Sequence, residues 1–147
     1  MCGSSPSSIG LLSLEDDWVT RPTRKEMIMV FVVAPTKPIV PFDLLEKIDI
    51  RIGTIELVED VKGSDRMVKL TVDFGDRKRT VLVGMKKERA NPKEVEGKQA
   101  LFVVNLEPRK IMSVESEAML FDIGYPDGIT PVLAIPEKPV PNGARTG

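Results

Sequence analysis

The chain predicts an all-β domain: a five-stranded, partly open Greek-key barrel with one short helix, preceded by an irregular N-terminal extension. Three features point there. Apolar residues recur at every second position in short runs, turn-forming residues separate those runs, and one Asn-Pro…Gly helical signature falls between the third run and the fourth. Composition permits such a core, since 147 residues with 41% hydrophobic and 29% charged side chains fit one globular domain plus a tail.

The expected division is an extension at 1–41, flexible or an artefact of the assigned start, and a domain at 42–147. Met-Cys-Gly-Ser-Ser-Pro-Ser-Ser opens the chain with too little apolar surface to offset the entropy of ordering it. Met27 to Pro35 is apolar and β-prone, but a membrane-spanning helix needs ~20 such residues. Arg21, Arg24 and Lys25 precede this run as in a secretory signal. Glu15, Asp16, Asp17 and Glu26 occupy the region that should be basic, which argues against secretion. Met27 or Met29 is the alternative start. Pro35, Pro38 and Pro41 then lead into the domain.

Phe42 to Lys47 reads as a short helical turn. Ile50, Ile52 and Thr54 alternate with Arg51, Gly53 and Ile55 as a half-buried strand, in which Gly53 predicts a bulge or sharp bend. Lys62 to Asp65 is a turn. Val68, Leu70, Val72 and Phe74 share one face of a second strand, Gly75-Asp76 turns the chain, and Thr80 to Met85 returns as a hairpin. Asn91 as N-cap, Pro92 at the first helical position and Gly97 as terminator define one helical turn. Ala100 to Val104 is a buried strand and Ser116 to Ile123 a fifth. Gly124 to Gly128 turns again before a closing segment at Pro131 to Ile135. An SH3-like barrel has nearly the same strand count, but a helical turn after the third strand is the layout of an OB-fold.

Chemistry is bounded by what is missing. The chain has no histidine, which excludes imidazole acid–base work, His-dependent nucleophiles and imidazole metal ligation. The lone thiol, Cys2, supports neither an internal disulfide nor a cysteine zinc site. Asp65, Asp73, Glu115 and Glu117 read as turn and strand-edge acids. No enzyme, cofactor or metal is expected. With a net charge of −1, nucleic-acid binding would need a local patch rather than the field of the whole molecule.

Basic residues gather around the second hairpin, as Arg77-Lys78-Arg79 at its turn and Lys86-Lys87 with Arg89 after it. Arg109-Lys110 comes from another loop. The first trio reads better as a solvated turn, whereas Lys86 and Lys87 leave a strand lining the oligonucleotide face of such a barrel. Taken alone, Asn105 is a strand-end residue bonding nearby backbone, and strand alternation places Met119 in the core.

Asn105-Leu106…Pro108-Arg109-Lys110, followed by Ser116-Glu117-Ala118-Met119, resembles a pattern of the tRNA-binding domain family, as do Asp49 to Ile55 and Leu70 to Gly75. The resemblance spans roughly Phe42 to Gly147. It implies an OB-fold module that is free-standing or appended to methionyl- and phenylalanyl-tRNA synthetases and to cytokine-like synthetase cofactors. Together with Lys86 and Lys87 from the hairpin, it gives a nucleic-acid-binding set of Arg66, Lys86, Lys87, Asn105, Arg109, Lys110, Ser116, Glu117 and Met119. The implied partner is tRNA, bound by a cytoplasmic homodimer with no membrane association. Chaperone-like peptide binding and delivery of tRNA to an aminoacyl-tRNA synthetase are the alternatives. The chain departs from the family where Ala118 replaces a usual Gly, Val83 a Ser and Arg66 a Lys, and where no tyrosine stands near Arg89-Ala90.

Overall fold

The computed structural model describes residues 31–147. The polar N-terminal stretch and the start of the apolar run at Met27 lie outside the described residues. Residues 31–35 form no strand, contrary to their β propensity, and Val32 and Val33 are exposed. The barrel belongs to the unit Ile39–Gly147.

A short helix, α1 (Phe42–Glu46), enters the domain. The strands that follow are β1 (Ile50–Asp60), β2 (Val68–Asp73), β3 (Lys78–Val83) and β4 (Gln99–Val103). Three short pieces come next, β5 (Arg109–Ile111), β6 (Val114–Ser116) and β7 (Met119–Leu120), and then β8 (Asp122–Ile123) and β9 (Val132–Leu133). The main sheet runs β3-β2-β1-β4-β7. It curls into a five-stranded, nearly closed antiparallel barrel.

Strand β1 organises the barrel by changing partners along its length. Ile50 to Thr54 pair with β4, and Thr54 to Asp60 pair with β2. The register slips between Ile55 and Leu57, so the bulge lies at Glu56 and not at Gly53. Gly53 is required for another reason. A Cβ there would sit 2.6 Å from Val72 Cγ1 and 2.7 Å from Phe74 Cε1, so the bare backbone makes room for the side chains above it.

Alternation along β2 sends Val68, Leu70 and Val72 inward to meet Ile55, Val81 and Phe102. Phe74 and Phe102 meet edge to face with centroids 5.2 Å apart, the geometry aromatic quadrupoles favour. The single turn Pro92–Val95 forms as its residues dictate. Asn91 Oδ1 accepts a hydrogen bond from Lys93 N, and Val95 plugs the core.

Two segments differ from the sequence-based expectation. The fifth strand is broken into pieces because it crosses between the two edges of the barrel. Glu117 N donates to Thr80 O on β3 (2.8 Å), whereas Met119 and Leu120 pair with Val103 and Phe102 on β4. In addition, residues 142–146 strap the edge of β1 that β2 leaves free. Gly143 N donates to Ile52 O (2.8 Å), Ile52 N to Ala144 O (3.0 Å) and Thr146 N to Ile50 O (3.0 Å). Asn142 Oδ1 anchors the strap by accepting from Thr54 Oγ1 and Gln99 Nε2.

A groove beside the barrel closure as candidate nucleic-acid interface

Where the chain crosses from β3 to β4 it leaves a groove of about 430 Å³. Its floor is apolar, with Leu82 from β3, Leu120 from β7 and Ala118 between the edges. Met67 and Met119 add flexible thioethers, and Tyr125 stands at the rim, 59% exposed. Arg66 and Arg109 bring positive charge, and Glu88, Glu107 and Asp122 bring negative charge.

Arg109 lies on β5, not in a turn. It pairs with Ser116 across the β5–β6 hairpin, and Lys110 pairs with Glu115. The expected basic corner is therefore a strand. Its tight reversal uses Met112 (φ 53°) and Ser113 (φ 67°), both in the left-handed region without glycine.

Ser116 is buried beneath the groove. Its Oγ accepts from Leu82 N (3.0 Å) and donates to Ala118 O (3.3 Å). The hydroxyl thus stands in for a strand partner at the closure, where an unsatisfied buried N–H would cost about 1–3 kcal/mol. Met119 is 44% exposed and faces the groove. Alternation alone assigned it to the core, but Ala118 and Leu120 on either side occupy the inward positions.

The other named residues are placed differently. Asn105 Oδ1 accepts from Asp49 N (2.8 Å) and its Nδ2 donates to Lys47 O (2.7 Å), pinning the segment between α1 and β1. Lys86 Nζ lies 3.4 Å from Asp60 and donates to Ser64 O. Lys87 sits 3.1 Å from Asp65, whose carboxyl it holds below its ordinary range. Glu117 pairs with Arg77 at 3.2 Å. Lys110 is exposed on the hairpin beside Arg109. These five do not line the groove.

Tyr125, Glu88 and Asp122 also line the groove, outside the set that the sequence predicts. Tyr125 follows Gly124 and precedes Gly128, both at positive φ, so the glycine-flanked turn was its available signal. Burial pushes the Glu88 carboxyl up, and the charge of Asp122 adds to this. Arg89 and Arg66 pull the other way.

Pairing separates the basic residues around the second hairpin and the groove into two kinds. Arg77, Lys78, Lys86, Lys87 and Arg89 each contact a carboxylate, whereas Arg66, Arg109 and Lys110 have no such partner among the described residues. The described residues hold no cluster of three His, Cys, Asp or Glu arranged for a metal, and no helix long and apolar enough to cross a membrane.

Fold and groove together define a small-barrel binding module. Residues 50–145 match the family model "Putative tRNA binding domain", and the chain belongs to this tRNA-binding domain family, a non-catalytic binding module. The methionine–tRNA ligase of Methanothrix thermoacetophila is 42% identical over 107 residues, which is 73% of this chain and 15% of that enzyme. The chain therefore spans a small fraction of that curated relative, whose catalytic activity lies in other domains. A structure of a MetRS-related protein from Pyrococcus horikoshii is 33% identical with a TM-score of 0.70, covering 76% of this chain and all of that one. A structure of the chaperone CsaA from Bacillus anthracis is 27% identical with a TM-score of 0.65, covering 75% of this chain and all of that one.

Proposed function

We propose that this chain binds folded tRNA without catalysis, through the groove and the β5–β6 hairpin, as a cytoplasmic homodimer. The observation that carries the reading is the pairing contrast. Arg66, Arg109 and Lys110 are cations without a carboxylate partner among the described residues, beside a concave, partly apolar surface. Such groups can receive phosphates without first breaking an ion pair, and the released counterions drive binding. Met119 supplies apolar contact for an unstacked base. Ser116, Asn105 and Glu117 act by holding the segments that frame the groove. Lys86 and Lys87 would exchange a carboxylate for a phosphate. Recognition is led by backbone shape, with little sequence readout.

Dimerisation rests on α1. Phe42, Leu44 and Leu45 are 69, 48 and 53% exposed, and the helix buries no residue. A second copy covering this surface would join two weak faces, and avidity would compensate for the unfavourable net charge. Delivery of tRNA to an aminoacyl-tRNA synthetase is compatible with the same face and is favoured by the methionine–tRNA ligase relatives. Peptide binding is the alternative that the groove's apolar floor and the CsaA likeness favour.

The test is fluorescence anisotropy of labelled bulk tRNA at several salt concentrations, with unstructured RNA and duplex DNA as competitors. A saturable preference for folded tRNA, with log K falling linearly against log salt, is expected. Absence of binding at low salt would move the assignment to peptide binding or synthetase docking.

A further inference from the structure

With the tRNA reading as its premise, we propose that the groove receives one unpaired nucleobase, and that Glu88 and Asp122 select a base bearing an exocyclic amino group over uracil. A groove built only to follow phosphates would be lined by cations. This one places three carboxylates against two guanidiniums. A phosphate inside it would face Glu88, Glu107 and Asp122 above an apolar floor, so the phosphates belong at Arg66 and Arg109 and something else belongs inside.

The shape fits a base. A volume of about 430 Å³ lies within the range of small-molecule sites. Leu82, Ala118 and Leu120 present an apolar bed for one face of a ring. Tyr125 at the rim offers a surface on which a base can stack, an interaction worth about 1–3 kcal/mol per base.

The carboxylates decide which base. An ionised carboxylate only accepts hydrogen bonds. Adenine, cytosine and guanine all offer amino N–H groups, and carboxylates pair naturally with the cytosine amine. The pairing edge of uracil has a single N–H between two carbonyl oxygens, whose lone pairs would oppose Glu88 and Asp122. Burial strengthens the hold of half-buried Glu88 on a proton, and the nearby charge of Asp122 adds to this. A donated N–H would relieve that repulsion. Arg89 and Arg66 offset it in part, and Arg89 Nη1 is also engaged by Glu94 at 2.6 Å.

The experiment is a titration of the ¹⁵N-labelled full chain with CMP, AMP and UMP, alongside tRNA anisotropy on the same preparation. CMP and AMP should shift the amides of Leu82, Ala118, Met119 and Leu120. UMP should bind about tenfold more weakly, and Glu88→Gln with Asp122→Asn should bring CMP and UMP within about twofold. Arg109→Ala should weaken all three nucleotides and leave their ratio intact. Equal binding of UMP, or an unchanged ratio in the double variant, would overturn the base pocket while normal tRNA binding left the broader reading standing. Loss of tRNA binding at low salt would remove premise and proposal together. Shifts of the same amides by a Leu/Arg octapeptide, with none by CMP, would assign the groove to peptides and overturn the proposal.

Discussion

The β2–β3 hairpin carries Arg77, Lys78 and Arg79 in succession, while the groove carries Arg66 and Arg109 from distant parts of the chain. By count the hairpin is the more basic. Yet Arg77 meets Glu117, Lys78 meets Glu56 at 2.9 Å, and Arg79 lies 5.6 Å over the ring of Phe74 while donating to Val104 O at 2.7 Å. Its charges are occupied in holding strands together. The groove's two guanidiniums have no carboxylate partner among the described residues. What a basic cluster can do for a ligand depends on the partners its charges already have, and adjacency in sequence does not reveal them.

The largest effect should come from the most committed cation. Arg79→Ala removes a charge-assisted bond to a buried carbonyl, so urea denaturation should show a loss of about 2–3 kcal/mol. Arg66→Ala should stay within about 0.5 kcal/mol, as exposed substitutions do. Comparable losses for the two would erase the contrast.

Ser116→Ala comes next. It strands the Leu82 N–H beneath the groove and should cost about 1–2 kcal/mol in the same assay. Ser116→Thr, which keeps the hydroxyl, should recover part of that loss.

Binding should divide the two regions in the other direction. Arg66→Ala with Arg109→Ala should lower tRNA affinity about tenfold and flatten the log–log salt slope by roughly two. Arg77→Ala with Lys78→Ala should change the affinity by less than about twofold, the consequence of removing cations that are already paired. Arg109→Ala with Lys110→Ala should behave like the first pair. Wild-type affinity in that variant would refute the assignment of β5.

The smallest effect concerns pH. Glu88 holds its proton more tightly folded than unfolded, so its contribution to stability falls as pH rises from 4.5 through the raised folded value. Glu88→Gln should remove that decline, seen as a smaller drop in urea midpoint between pH 4 and pH 7. Asp49, lowered chiefly by its hydrogen bond to Arg51, has the opposite sign and loses its contribution on acidification.

The barrel strands were legible because alternation is a local signal, and the turn at Asn91, Pro92 and Gly97 because capping chemistry is equally local. Gly53 was recognised as special for the wrong reason, since the Phe74 and Val72 that crowd it arrive from another strand. The β5–β6 hairpin escaped notice because Met112-Ser113 lacks the glycine or asparagine that usually marks such a reversal. The 142–146 strap has no periodicity to detect. In the site, Arg66, Arg109, Ser116 and Met119 converge on the groove, whereas Glu88, Asp122 and Tyr125 join it through tertiary closure with no shared motif.

The left-handed tip of that hairpin also touches another turn. Met112 Cε lies 3.5 Å from where a Cβ on Gly63 would sit, so the thioether lies against the β1–β2 turn. Gly63, at φ +84°, cannot gain a side chain without backbone strain, although the space beside it would accept a Cβ at ordinary contact distance. The contact sets the hairpin bearing Arg109 against the turn leading to Arg66. A ligand that bridges the two finds both backbones already placed, and the cost that remains is the ordering of two exposed guanidinium side chains.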